Sequence, residues 1–186
     1  MQISFYLRSL RGIGGPVVRN YLWRACRFAY LIKSGVPVAW MLASNGTKET
    51  ISFFLRWVRD GSPQVSPTVM MTNCDLAQIC ALESVYPEPK SRIFLCKWHV
   101  LRAMRSHFNI HEFPDLWTKV KDLVITPDET VFNKLLAEIY SDPLFPQTFI
   151  DYMKLQWVPD KKKWSKVYRQ GLSIFEEGDT NMLIEA

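Results

Sequence analysis

The sequence predicts an α/β fold in which strands and helices alternate over residues 36–108, followed by an all-helical block over residues 112–175. Three observations carry this expectation. Ile51, Phe54, Leu55 and Val58 recur at i, i+3, i+4 and i+7 within Thr47–Arg59, which puts them on one helical face. Thr68–Thr72 and Arg92–Cys96 are short apolar runs flanked by prolines and polar turn residues, as buried strands are. Beyond residue 111 such runs stop, and helical periods recur around Leu116–Val124, Val131–Tyr140, Phe145–Trp157 and Trp164–Tyr168.

The elements follow in order. Residues 1–20 contain Gly12, Gly14, Gly15 and Pro16 and show no clear period, so a poorly specified start is expected. Ala25–Ile32 reads as a strand, Lys33-Ser34-Gly35 as a turn and Val36–Ala43 as a second strand, together a β-hairpin. The helix over Thr47–Arg59 is capped by Thr47 or Asn45 and ends at Gly61-Ser62-Pro63. After the Thr68–Thr72 strand, Asp75 is placed to cap a helix reaching Tyr86, with Leu76, Ile79, Leu82 and Val85 expected inward and Pro87 and Pro89 ending it. A helix from Trp98 to Phe108, with Leu101, Met104 and Phe108 inward, follows the Arg92–Cys96 strand. In the helical block, Thr126-Pro127-Asp128-Glu129 combines a cap, a first-turn proline and a capping-box glutamate. Gly178-Asp179-Thr180-Asn181 reads as a fresh helix start.

Composition narrows the class. Of 186 residues, 48 % are hydrophobic and 22 % charged, a balance that supports a packed core and argues against disorder. Residues 1–34 hold six basic side chains (Arg8, Arg11, Arg19, Arg24, Arg27 and Lys33) and no acidic ones, leaving 17 basic against 18 acidic elsewhere. The net charge of +5 is therefore concentrated in a basic arm that can contact phosphates or can be purely structural. Cys26, Cys74, Cys80 and Cys96 form no evenly spaced framework and read as reduced, intracellular thiols. The apolar stretch Tyr21–Ile32 is short and carries Arg24 and Arg27, so no membrane partner is expected, and Asn45-Gly46-Thr47 reads as a turn.

Several residues can carry chemistry, each beside a plainer reading. Cys96 and His99 stand three apart at a strand-to-helix junction and can supply two ligands to zinc, which usually takes four. The alternative is a buried thiol at a strand end and an imidazole in a helix's first turn. Asp75 lies just past a strand end, where metals and ligands gather in open sheets, and can bind magnesium or simply cap the next helix. Asn73 offers a hard dication only an amide oxygen. Glu185 lies one turn into the last expected helix. Trp23, Trp40, Trp57, Trp98, Trp117, Trp157 and Trp164 fall on expected inner faces, and Lys161-Lys162-Lys163 reads as a solvated helix start.

Taken in order, these pieces resemble the transposase domain of Mutator-like elements. Gly35–Ala43 followed by the Thr47–Arg59 helix looks like one of the family's strand–helix units. Met71-Thr72-Asn73-Cys74-Asp75 is similar to the strand end that normally reads Thr-Asp-x-Asp, and Cys96-x-x-His99 to the Cys-x-x-His element on the following strand. Asp179–Glu185 looks like the terminal Thr-Asn-x-x-x-Glu motif after a helical insertion.

The resemblance covers roughly residues 35–186 and implies a partial ribonuclease-H-like mixed sheet with flanking helices, then an all-helical insertion. In that scheme residues 1–24 form a basic, poorly specified segment, 25–110 the sheet core, 111–177 the insertion and 178–186 the start of a truncated catalytic-type helix. The resemblance also implies DNA as partner, the nucleus as location, and two magnesium ions held by two Asp and one Glu for in-line attack on a phosphodiester. Carried over residue by residue, the second Asp falls on Asn73 and the Glu on Glu185, with Asp75 as a possible substitute for Asn73. The first Asp belongs on the central strand before Ala25–Ile32, yet no acidic residue precedes Glu49, and that strand is expected to be lost, replaced by segment 1–24, which leaves a truncated fold of reduced stability. Loss of cleavage is the resulting expectation, with a domesticated DNA- or protein-binding module on the same core as the alternative.

Overall fold

The computed structural model describes residues 2–10, 20–29, 34–63, 67–87, 92–107 and 109–172. They form a mixed α/β structure in two compact units, one running to Phe94 and the other starting at Leu95. The expected helix start at Gly178 lies outside the described residues.

Strands β1 (Gln2–Leu10), β2 (Asn20–Ala29), β3 (Ser34–Ala43), β4 (Val69–Thr72) and β5 (Arg92–Leu95) form one sheet in the order β3-β2-β1-β4-β5. β1 runs antiparallel to β2, with Leu10 opposite Asn20, and parallel to β4, with Ser4 opposite Met71. The N-terminal segment is thus a strand at the sheet's centre, which corrects the expectation of a poorly specified start. The alternation Ile3, Phe5, Leu7 against Ser4, Tyr6, Arg8 is a strand's period of two, which the glycine-rich stretch behind it obscures. β2 and β3 pair antiparallel as expected, but β2 begins at Asn20 rather than Ala25, and Ser34 and Gly35, expected in the turn, pair with Ala29 and Phe28 as strand; the register shifts at Ala25/Cys26, where Cys26 faces Pro37. A proline fits there because β3 lies at the sheet edge and the bulge spares the ladder the N–H that proline lacks.

Helix α1 (Lys48–Gly61) starts as expected, with the Thr47 hydroxyl accepting from the Thr50 N–H at 3.4 Å. Its buried residues Ile51, Phe54, Leu55 and Val58 are those the period selects. They pack in one cluster with Met70 of β4, Ile93 of β5, and Ala81, Leu82 and Val85 of α2 (Leu76–Val85). On α2 the buried face is Gln78, Ala81, Leu82 and Val85, whereas Leu76 is 73 % exposed and Ile79 half-buried. The correction has a geometric cause: steps of three residues drift around a helix of 3.6 residues per turn, and 76, 79, 82, 85 do not share a stripe.

The second unit holds α3 (Lys97–Arg105), α4 (Pro114–Ile125), α5 (Glu129–Ser141), α6 (Gln147–Tyr152), a π-helical turn Met153–Trp157, α7 (Lys161–Trp164) and a 3₁₀ turn Lys166–Arg169. α3 groups with these helices in the second compact unit. The His107 ring stacks on Tyr152 with centroids 3.5 Å apart, and Arg169 donates to the Leu95 carbonyl, tying both ends of the unit together. On α3 the buried pair is Val100 and Met104, with Leu101 half-buried; Phe108 lies outside the described residues. Asp128, not Thr126, caps α5, accepting from the Thr130 and Val131 N–H groups at 2.7 and 3.0 Å. Thr126 instead closes α4, so Pro127 sits in the link between the two helices. The π turn carries a Val158 N–H bond to the Met153 carbonyl at 2.9 Å, a five-residue spacing, and it aims Trp157 toward Trp164.

Lys119 of α4 donates to Asp142, at the end of α5, at 2.7 Å. That bond, followed by the Leu144 N–H, holds the Asp142 carboxyl below its usual range, and the same bond raises Lys119. With the carboxyl depressed in the folded chain, its stabilisation is full above the unfolded pKa and disappears as pH falls through the folded one. With the ammonium raised, its share is full below the unfolded lysine value and disappears as pH rises through the folded one. Asp142→Asn should therefore flatten both limbs of a plot of urea midpoint against pH, with the native chain losing more of its midpoint than the variant below about pH 4.

Candidate active site

The end of β4 is where sequence reasoning places chemistry, and the structure shows how it is held. Thr72 is fully buried, and its hydroxyl donates to the Gln78 side-chain oxygen at 2.6 Å, with Asn73 Oδ1 a weaker neighbour at 3.4 Å. Asn73 and Asp75 are both half-buried at the strand end. Asp75 caps α2: its Oδ1 accepts from the Gln78 N–H at 3.1 Å, and its carbonyl accepts from Ile79 at 3.0 Å. Such a cap typically stabilises a helix by about 1 kcal/mol, so a structural duty already occupies this carboxylate.

Gln78 was not singled out from sequence. It is 1 % exposed, its Oε1 accepts a hydrogen bond from the Thr72 hydroxyl, and its Nε2 has no partner among the described residues. An amide N–H₂ donor at the strand end is the wrong polarity for a cation site, which needs converging oxygens. The signal that could have found it is a glutamine where the i, i+3, i+4, i+7 stripe of Gln78, Ala81, Leu82 and Val85 requires an inward residue.

β1 is the neighbour of β4, and Ser4 pairs with Met71, so continuing the register two residues puts Tyr6 level with Asn73. β1 reads Gln-Ile-Ser-Phe-Tyr-Leu-Arg-Ser-Leu, without an acid at any position. Glu185 lies outside the described residues, so the structure brings together Asn73 and Asp75 and places nothing of Glu185.

Cys96 and His99 sit where expected, Cys96 buried just after β5 as the N-cap residue of α3, and His99 in that helix's first turn, half-buried. The Trp98 ring meets His99 edge-on with centroids 4.8 Å apart. Burial, and then the Arg102 cation, hold the imidazole below its ordinary pKa. Among the described residues no group of three or more His, Cys, Asp or Glu side chains gathers as metal ligands do. Among the described residues no disulfide links Cys74, Cys80 and Cys96 to one another.

The tryptophans divide. Trp157 and Trp164 are buried as expected, whereas Trp57 is 63 % and Trp98 39 % exposed, which corrects their assignment to inner faces. Trp117 is half-buried, and the side chains of Trp23 and Trp40 lie outside those described. Lys161 and Lys163 are engaged locally, Lys161 over the Phe132 ring at 5.8 Å and Lys163 with Asp160 at 3.1 Å, while Lys162 is exposed. No helix among the described residues is long and apolar enough to cross a membrane. No protein-family model matches the chain, and no curated protein matches its sequence significantly.

Proposed function

We propose that the chain is a transposase-derived domain of the Mutator-like class, built on a ribonuclease-H-like sheet, which binds DNA and no longer cleaves it. What supports the lineage is the order of sequence motifs together with β1, which occupies the central strand position the resemblance calls for. One observation carries the loss of cleavage: the two adjacent strands that should each supply a carboxylate supply none, β1 being free of acids and β4 leading into Asn73.

Two magnesium ions do not fit the residues at this strand end. Asn73 brings a neutral oxygen, Asp75 is engaged by the Gln78 N–H, and the Gln78 amide adds a buried donor. Hard dications take clusters of anionic oxygens, and in two-metal phosphoryl transfer the ions sit about 3.5–4 Å apart, which a single capping carboxylate does not sustain. The remaining role is binding. Its test is incubation of the purified chain with supercoiled and linear DNA in magnesium or manganese. No nicking above the protein-free control is expected, and nicking that Glu185→Ala abolishes would overturn the reading.

A further inference from the structure

The near-neutral charge of residues 35–186 conceals a local imbalance. From Pro89 to His111 there is no acidic residue, while Lys90, Arg92, Lys97, Arg102 and Arg105 and all three histidines fall within that stretch. α3 lies at its centre. Val100 and Met104 are buried, and Trp98, Arg102 and Arg105 recur at i, i+4 and i+7 on the opposite side, all exposed. The Arg102 guanidinium lies over the Trp98 ring at 5.0 Å from its centroid. Among the described residues neither Arg102 nor Arg105 has a carboxylate partner.

We infer that the outer face of α3 is a contact site for single-stranded nucleic acid, with Arg102 and Arg105 on neighbouring phosphates and the Trp98–Arg102 stack as the platform for an unpaired base. It rests only on the nucleic-acid-binding part of the reading above and places binding on residues other than those of the basic arm. The charge argument is one of complementarity: an exposed cationic stripe with no acid in its own helix attracts a polyanion. The choice of an unpaired strand follows from the aromatic ring. Phosphates of a duplex need only cations, whereas an exposed indole beside a guanidinium presents the π surface on which bases of a single strand stack. The geometry is compact enough for one strand, since residues 102 and 105 are three positions apart, about 4.5 Å along the axis and just under one turn.

The test is fluorescence anisotropy of the full chain with a labelled 20-nucleotide oligo-dT and a duplex of the same length, from about 50 to 200 mM salt. The dT strand should bind more tightly than the duplex. Arg102→Gln with Arg105→Gln should weaken dT binding at least about tenfold at the lowest salt and reduce the slope of log K against log salt by roughly 1.4, the single-strand value for two phosphates. Arg102→Lys with Arg105→Lys should keep the slope, and Trp98→Ala should weaken binding about tenfold where Trp98→Phe does not. Arg102 and Arg105 are exposed, so thermal melts of their variants should coincide with the native chain, and Trp98→Phe, which keeps an aromatic ring, is the folded control for Trp98→Ala. Equal dT binding by the Gln pair and the native chain would overturn the α3 site and leave the DNA-binding reading standing. Tighter binding of the duplex would overturn the unpaired-strand assignment, and no binding of either probe by the native chain would overturn both.

Discussion

Replacing Trp164 by alanine is expected to cost about 3–5 kcal/mol, the range for removing a buried indole from a packed core. The side chain is fully buried, meets the Trp157 ring edge-on at 6.1 Å and lies 5.7 Å from Phe132. Its indole N–H donates to the Trp157 carbonyl at 2.7 Å. That carbonyl also accepts from the Asp160 N–H at 3.2 Å, so the substitution does not orphan it, and the loss comes mainly from the cavity. Trp164→Phe keeps the ring contacts and forfeits one hydrogen bond, so its loss should be the smaller of the two. Urea unfolding followed by near-UV circular dichroism, which reports packed aromatics, measures the order native, Phe, Ala. Equal midpoints for all three would contradict the place given to Trp164.

In the first unit the corresponding residue is Leu55. It is fully buried at the centre of the cluster that joins α1, α2 and β4, and Leu55→Ala should lower stability by about 2–5 kcal/mol. Phe53, two residues earlier, is 67 % exposed, so Phe53→Ala should change stability by no more than about 0.5 kcal/mol although it removes a larger side chain. The same urea experiment, read by far-UV signal, compares the two. A loss for Phe53→Ala as large as that for Leu55→Ala would mean that the outward face of α1 is packed as well.

What the sequence reveals of this fold depends on how far each signal is local. The α1 face, the Thr47 and Asp75 caps, the short strands β4 and β5 and the β2–β3 hairpin are legible because periodicity and capping act within a few residues. β1 is harder to read. Its alternation is present in Ile3, Phe5 and Leu7, but its place at the sheet centre depends on pairing with Met70 and Met71, more than sixty residues away. The α5 cap is ambiguous in the sequence because Thr126 and Asp128 are both capping residues, and their competition is settled by where α4 ends. At the candidate site, the lack of any acid on β1 is legible from the first 48 residues, which contain none. Gln78, buried with one donor unmatched among the described residues, was not, since a polar residue on a helix is ordinarily taken for a solvated one.

Loss of cleavage, as proposed, depends on whether this strand end can gather oxygen ligands around divalent cations. Titration of the purified full chain with Mn2+ by calorimetry at neutral pH, with the free ion also followed by its electron paramagnetic resonance signal, addresses that directly. The expected result is weak, unsaturated uptake that is the same for the native chain and for Asp75→Ala. Saturable binding of two ions per chain that Asp75→Ala or Glu185→Ala abolishes would show that the carboxylates do converge, and the loss of catalysis would have to be abandoned.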